Sequence, residues 1–208
     1  CMARLRELNP AVQTWAISAT LGNLEEAAEA ATGIDSNPVV IQSKIKRKTV
    51  ITSVMPETVD SFPWAGHLGL HMFESLVSVL DIERSTLIFT NTRSQAERWY
   101  QALTFSMPEA EHKIALHHGS IDFETRLAFE AGLKTGDIKW VVCTSSLDLG
   151  VDFQPVERVV QIGSAKNIAR LLQRAGRSAH LPGGTSEVFF LPTNALELLE
   201  ISAFRRGL

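Results

Sequence analysis

Strands that are apolar at consecutive positions leave a chain few folds to choose from. Leu87-Ile88-Phe89 and Trp140-Val141-Val142-Cys143 show no polar alternation. Both faces of such strands must be covered, as in a parallel sheet with helices on each side. The flanking sequence agrees, because strand and helix signals alternate through most of the 208 residues. Strands are expected at Thr86–Thr90, Ile114–His117, Lys139–Cys143, Arg158–Ile162 and Glu187–Leu191, with β-branched runs at Pro38–Ile41 and Thr49–Val54. Helices are expected at His67–Leu80, Ser94–Leu103, Phe123–Leu133, Ile168–Arg177 and Ala195–Phe204. Ser94-Gln95-Ala96-Glu97 has the spacing of a capping box. Nearer the N-terminus, Val12 to Ala19 looks like a strand, and Asn23 to Ala31 a helix capped by Asn23 and stopped by Gly33. The class is α/β, and in such sheets ligands bind beyond the carboxyl ends of the strands.

Composition removes other classes. Apolar residues make up 45% and charged residues 21%, an ordinary globular balance that excludes a disordered tail or a fibre. No apolar run approaches membrane-spanning length. Two cysteines, Cys1 and Cys143, give no disulfide framework and fit a reducing, cytoplasmic setting. A net charge of −3 argues against holding nucleic acid by bulk charge. If this chain grips DNA or RNA, it does so with placed groups in a groove.

Three strand ends carry polar clusters. Thr90-Asn91-Thr92-Arg93 follows Phe89, His117-His118-Gly119-Ser120 follows Leu116, and Thr144 to Asp152 follows Cys143. Any one of them is ordinary loop and cap chemistry. Three along one edge make a shared polar groove, where helix N-termini present free N–H groups suited to phosphates. His117 and His118 are adjacent on a strand and therefore face opposite ways. With no ligand-spacing motif nearby, no metal site is expected, and Cys143 reads as a small buried hydrophobe. Gln173-Arg174-Ala175-Gly176-Arg177 places two arginines on a helix end. The glycine between them, costly in a helix by about 1 kcal/mol, suggests a close approach to the backbone.

In this order the segments resemble the second motor domain of superfamily 2 DExH-box helicases. Ser18-Ala19-Thr20 resembles motif III, Phe89 to Arg93 motif IV, His117 to Ser120 the segment called IVa, Thr144 to Asp152 motif V, and Gln173 to Arg177 motif VI. Motifs V and VI, with Leu171-Leu172 before the latter, are similar to the large helicase-related family. Phe62-Pro63-Trp64-Ala65-Gly66-His67-Leu68-Gly69 resembles its bacterial ligase-associated branch. His180 stands where helicases outside that family carry a further arginine.

The resemblance implies a RecA-like parallel sheet with helices on both faces. It implies that residues 1–50 are a remnant of a first RecA-like domain plus a connection, and residues 51–208 the second. Neither a Gly-x-x-x-x-Gly-Lys-[Ser/Thr] loop nor a DExH box occurs. ATP and Mg²⁺ would therefore be bound mainly by the first domain, and this chain alone is expected to be inactive. Arg177 would be the arginine finger, with Gln173 and Arg174 orienting it and sensing phosphate. Gly150 and Asp152 would meet the nucleotide. Thr144, Asn91, Thr92, Ser120 and Arg93 would hold the nucleic-acid backbone, and Ser18 and Thr20 would couple the two activities. The implied partner is DNA, as a single tracked strand, with an ATP-dependent DNA ligase beside it and no membrane. Two other readings are kept open: a double-strand translocase or RNA remodeller on the same fold, and a non-enzymatic doubly wound binding module.

Overall fold

The computed structural model describes residues 2–18, 23–33, 36–42, 48–55, 63–64, 69–148, 156–178 and 185–207. The chain divides into two compact units, Cys1–Ile45 and Lys46–Leu208.

In the first unit, polar contacts join α1 (Met2–Leu8) to α2 (Leu24–Thr32), and none of the described residues there is buried. The Asn23 side chain accepts from Glu26 N–H, as the sequence pattern requires, and Gly33 closes the helix at φ +96°. The Arg6 guanidinium donates to the Thr32 carbonyl and, at 2.7 Å, to Thr14 Oγ1. Two expected strands are absent. Residues 12–18 of the segment expected to form a strand over Val12–Ala19 are irregular, with Trp15 and Ile17 exposed, and 38–41 likewise form no strand. β-branched sequence gives a strand only when a neighbour pairs with its N–H and C=O groups, and no strand among the described residues of this unit does so.

The second unit is built on one six-stranded parallel sheet. Its strands are β1 (Lys48–Ser53), β2 (Thr86–Phe89), β3 (Ile114–His117), β4 (Trp140–Cys143), β5 (Arg158–Ile162) and β6 (Thr185–Leu191), in the order β1-β6-β5-β2-β4-β3. Residues 48–50 thus pair in this sheet, from Lys48 opposite Thr185 onward. The RecA-like arrangement expected from the motifs is what is seen: all strands parallel and both faces covered.

Side-chain alternation sorts the strands onto two cores. Leu87, Phe89, Val141, Cys143, Val159 and Val188 face α5 (Phe123–Thr135), α6 (Ile168–Ala175) and α7 (Ala195–Gly207). Ile88, Trp140, Val142, Val160 and Ile162 face α3 (Phe73–Val79) and α4 (Arg93–Ser106), where Trp99 is wholly buried and lies 6.1 Å from Phe73, ring centre to ring centre. Each such side chain contributes about 1.5–3 kcal/mol by leaving water.

The start of α4 departs from expectation by two residues. Thr92, not Ser94, is the cap: its hydroxyl accepts from Gln95 N–H at 3.1 Å, and the Gln95 side chain accepts from Asn91 N–H at 2.9 Å. Both Ser94-x-x-Glu97 and Thr92-x-x-Gln95 have capping-box spacing, and the end of β2 at Phe89 leaves the chain turning early enough for the second to win. At the other end of the domain, α6 stops at Ala175. Arg177 therefore sits in the turn beyond the helix instead of on it, and Gly176 has φ −64°, which any residue adopts.

Candidate functional site

Because β2, β4 and β3 are neighbours and parallel, the segments that follow them emerge side by side at the carboxyl edge. Short backbone bonds stitch that edge together. Thr90 donates to the Cys143 carbonyl through both N–H (2.8 Å) and Oγ1 (3.1 Å), and Thr144 N–H donates to the His117 carbonyl at 3.3 Å. Thr90 and Thr144 are buried, while Asn91, Thr92, Arg93 and Ser120 are exposed beyond them. The Arg93 guanidinium donates to Ser120 Oγ, bridging the β2 and β3 loops. Asn91 turns the other way, toward β5: a Cβ at Gly163 would stand 3.2 Å from Asn91 Nδ2. Gly163, at φ +73°, is a contributor to this edge that the motif reading passed over.

Helices α4 and α5 both start here. Asp122 caps α5, accepting from Thr125 N–H at 2.9 Å, and those hydrogen bonds hold its carboxyl below the usual carboxylate range. The edge therefore offers hydroxyls, an amide, one arginine and two helix N-termini, a donor set that positions phosphates without reading bases.

The two histidines diverge as adjacent strand residues must. His117 is buried, with Nδ1 2.9 Å from Ser146 Oγ, and its carbonyl also accepts from that hydroxyl. Burial, followed by the Arg126 charge, pushes its pKa down to about 4. It is neutral at ordinary pH, so the Glu130 carboxylate 3.9 Å from Nε2 is a neighbour and not an ion pair. His118 accepts from Ser120 N–H at 3.3 Å and lies 3.5 Å from Glu97. Among the described residues no cluster of three His, Cys, Asp or Glu side chains is placed to hold a metal. The Cys143 thiol is wholly buried and its pKa is pushed up by desolvation, which keeps it protonated and unreactive.

A second cluster forms where the loop after β4 meets α6. A short 3₁₀ turn, Ser145–Leu147, delivers Asp148, whose side chain is buried. Arg174 lies against it and is only 1% exposed. Its Nε donates to Asp148 Oδ1 at 2.8 Å and its Nη2 to Oδ2 at 3.3 Å. Nη1 donates to Gln161 Oε1 on β5, and the guanidinium stacks 4.6 Å from the centre of the Phe89 ring. Arg170 Nε stands 3.5 Å from Asp148 Oδ2. Arg177, half-buried, uses Nη2 to donate to the backbone carbonyl of Asp148 at 2.7 Å. Two guanidiniums, those of Arg170 and Arg174, thus face the Asp148 carboxylate, and a third, that of Arg177, its carbonyl.

Of the residues expected to act, the structure brings Thr92, Arg93, Ser120 and Thr144 to one edge, and Arg174 and Arg177 onto one residue. Arg177 does not extend free into solvent: it is half-buried and donates to a main-chain oxygen, the Asp148 carbonyl. Gln173 is half-buried on α6, and Ser18 is exposed in the first unit. Thr20, Gly150, Asp152 and His180 lie outside the described residues. Asp148 and Gln161 were not among the expected functional residues, although Gln161 left a signal: it is the one polar residue in Val159-Val160-Gln161-Ile162.

Residues 71–181, more than half of the chain, match the family described as helicase conserved C-terminal domain. The chain is 36% identical over 191 residues to ATP-dependent helicase Lhr-Core protein 2 of Thermococcus barophilus, covering 88% of this chain and 22% of that protein. It is 32% identical over 187 residues to ATP-dependent helicase Lhr-Core of Methanocaldococcus jannaschii, again covering 88% and 22%. The chain therefore spans about a fifth of the length of these relatives. Among solved structures, Mycobacterium smegmatis helicase Lhr bound to ssDNA and AMP-PNP superposes with a TM-score of 0.74 at 28% identity, covering 90% of this chain and 25% of that one. DUF1998 helicase MrfA bound to DNA and AMPPNP shares the fold with a TM-score of 0.72 at 22% identity, covering 91% and 27%.

Proposed function

The chain belongs to the helicase conserved C-terminal domain family, and we propose that it acts as the second motor domain of an ATP-dependent DNA helicase or translocase. The observation that carries this reading is the seat of Arg177, whose Nη2 donates to the Asp148 carbonyl while the side chain stays partly open to solvent. In this role Arg177 is the arginine finger, meeting the charge that develops on the γ-phosphoryl group of ATP held by a first motor domain. Gln173 and Arg174 orient it, and Gly150 and Asp152 of motif V meet the nucleotide. The arginines around Asp148 suit phosphate, whereas the described residues offer no carboxylate cluster for Mg²⁺. Mg²⁺ would be held mainly by the first motor domain, where it would neutralise charge on the phosphates.

Thr92, Arg93, Ser120, Asn91 and Thr144 hold the sugar-phosphate backbone of the tracked strand, and Ser18 and Thr20 couple strand binding to hydrolysis. A relative of this chain has been seen with ssDNA and AMP-PNP bound, which supports DNA as the polymer. In the full-length protein Arg177→Ala is expected to lower DNA-stimulated ATP turnover by about 10³–10⁵ while folding is kept. Turnover within about tenfold of wild type would assign the finger elsewhere. Strand separation measured beside ATP turnover, on both DNA and RNA, distinguishes a helicase from a translocase or an RNA remodeller.

A further inference from the structure

We infer that Asp148 is a positioning residue that sets the location of Arg177 through its own backbone; this rests on the reading of Arg177 as the finger. The two ends of Asp148 have different partners. Its carboxylate is held by Arg174 through both oxygens, and its carbonyl holds Arg177. Whatever fixes the carboxylate therefore fixes the seat of the finger.

Arg174 is well suited to do that fixing. It is 1% exposed and touches four elements: the α6 helix that carries it, the β4 loop through Asp148, β5 through Gln161 and β2 through Phe89. Gln161 is itself immobilised, its amide nitrogen donating to the carbonyls of Ile162 (3.1 Å) and Gly163 (3.0 Å). Arg170 and Arg174, four residues apart on α6, fall on one side of the helix and reach the Asp148 side chain, and Arg177, in the turn beyond, reaches its carbonyl. Leu147, 1% exposed, anchors the loop in the core.

Energetics argue that stability is not the reason for this arrangement. A buried ion pair loses hydration that its own attraction barely repays, and apolar residues of similar volume typically stabilise such a site as well or better. Two buried charges joined to a buried glutamine are a costly way to fill a core but a good way to hold one geometry. Displacing a reacting group by about 1 Å costs roughly 10² in rate, so the finger has reason to be held this firmly.

The test uses the full-length protein, with ATP turnover on single-stranded DNA and thermal melting measured on the same samples. Asp148→Asn leaves Arg174 charged and unmatched; kcat should fall by roughly 10²-fold with KM for ATP nearly unchanged. Asp148→Glu, which keeps the carboxylate within reach of Arg174, should recover most of that loss. The deciding variant is the apolar pair Asp148→Leu with Arg174→Met, which removes both charges at once and should melt near the wild type. If Asp148 positions the finger, this double variant stays folded and slow, with kcat at least tenfold down. A double variant that melts normally and turns over at the wild-type rate would overturn the inference. So would an Asp148→Asn protein that is only less stable, with full kcat well below its melting point. Arg177→Ala, run alongside, separates the two readings: active Arg177→Ala overturns the finger, whereas inactive Arg177→Ala with a fully active double variant overturns only the role of Asp148.

Discussion

His117 gives the chain an acid sensitivity whose size follows from its surroundings. The imidazole is 3% exposed, its Nδ1 is committed to Ser146, and its Nε2 makes no hydrogen bond. Desolvation and the nearby Arg126 charge bring its pKa from 6.5 down to about 4. The folded chain thus resists a proton that the unfolded chain accepts near pH 6.5. Above that value neither state is protonated and the full stability is present. As the pH falls from 6.5 toward 4, protonation of the unfolded state draws the equilibrium toward unfolding. At about 1.4 kcal/mol per pH unit of proton imbalance, the loss between pH 7 and pH 5 is about 2 kcal/mol.

The measurement is urea unfolding of this chain at a series of pH values, followed by the fluorescence of the buried Trp99 and Trp140. Carboxylates titrate over the same range, so the informative quantity is the difference from His117→Asn. Its amide has hydrogen-bonding atoms near the Nδ1 position and carries no titrating group. Wild type and variant should converge in stability by about 2 kcal/mol as the pH drops from 7 to 5. A difference that stays constant across that range would mean that the folded state accommodates the imidazolium, and the argument from burial would be wrong. The consequence reaches the polar edge, because the His117 carbonyl also receives Thr144 N–H and Ser146 Oγ.

Arg93→Ala in the full-length protein should weaken single-strand binding equally across sequences and lower the magnitude of the salt slope by about 0.7, the loss of one phosphate contact; titration at several salt concentrations reads both. Gly69→Ala should destabilise this chain by about 1–3 kcal/mol in denaturant, because φ is +69° and the new Cβ would stand 2.6 Å from Thr193 Cγ2.

Much of the fold was legible because its strands obey a local rule. Leu87-Ile88-Phe89 and Val141-Val142-Cys143 are apolar on both faces and are buried on both faces. β3 and β5 begin and end where their sequences change character. Asn23 caps α2 through its side chain, and Gly33, which has none, stops it at a positive φ. The expectations that failed depended on partners outside the local window. Val12 to Ala19 has strand composition, but pairing is not a property of one segment. Thr92 and Ser94 satisfy the same capping rule, and only the end of β2 decides between them. Arg174 reads as a cation at a helix end facing water. It is instead one of the largest wholly buried side chains, because Asp148, twenty-six residues away in sequence, and Gln161 wait for it. Long-range pairing of that kind leaves only a faint trace, here a glutamine in an otherwise apolar strand.

In the function proposed here, the same pairing would let a chain of net charge −3 meet anions. Bulk potential is not available, so cations must be placed, and the placed cations here share one short segment. Thr144 begins that segment, bonded to β3 at the edge assigned to the tracked strand. Asp148 ends it, four residues later, carrying Arg174 on its side chain and Arg177 on its carbonyl. Between them lies the Ser145–Leu147 turn, pinned by Leu147 in the core and by Ser146 on His117. A close-packed turn of this length does not stretch; it shifts as a unit or stays in place. If strand binding moves Thr144, it moves the seat of the finger. By thermodynamic reciprocity, closing the finger on nucleotide must then alter the grip on the strand by the same free energy. For the site proposed here, the link between polymer binding and nucleotide binding therefore needs no long path through the domain, because five consecutive residues contain both ends of it.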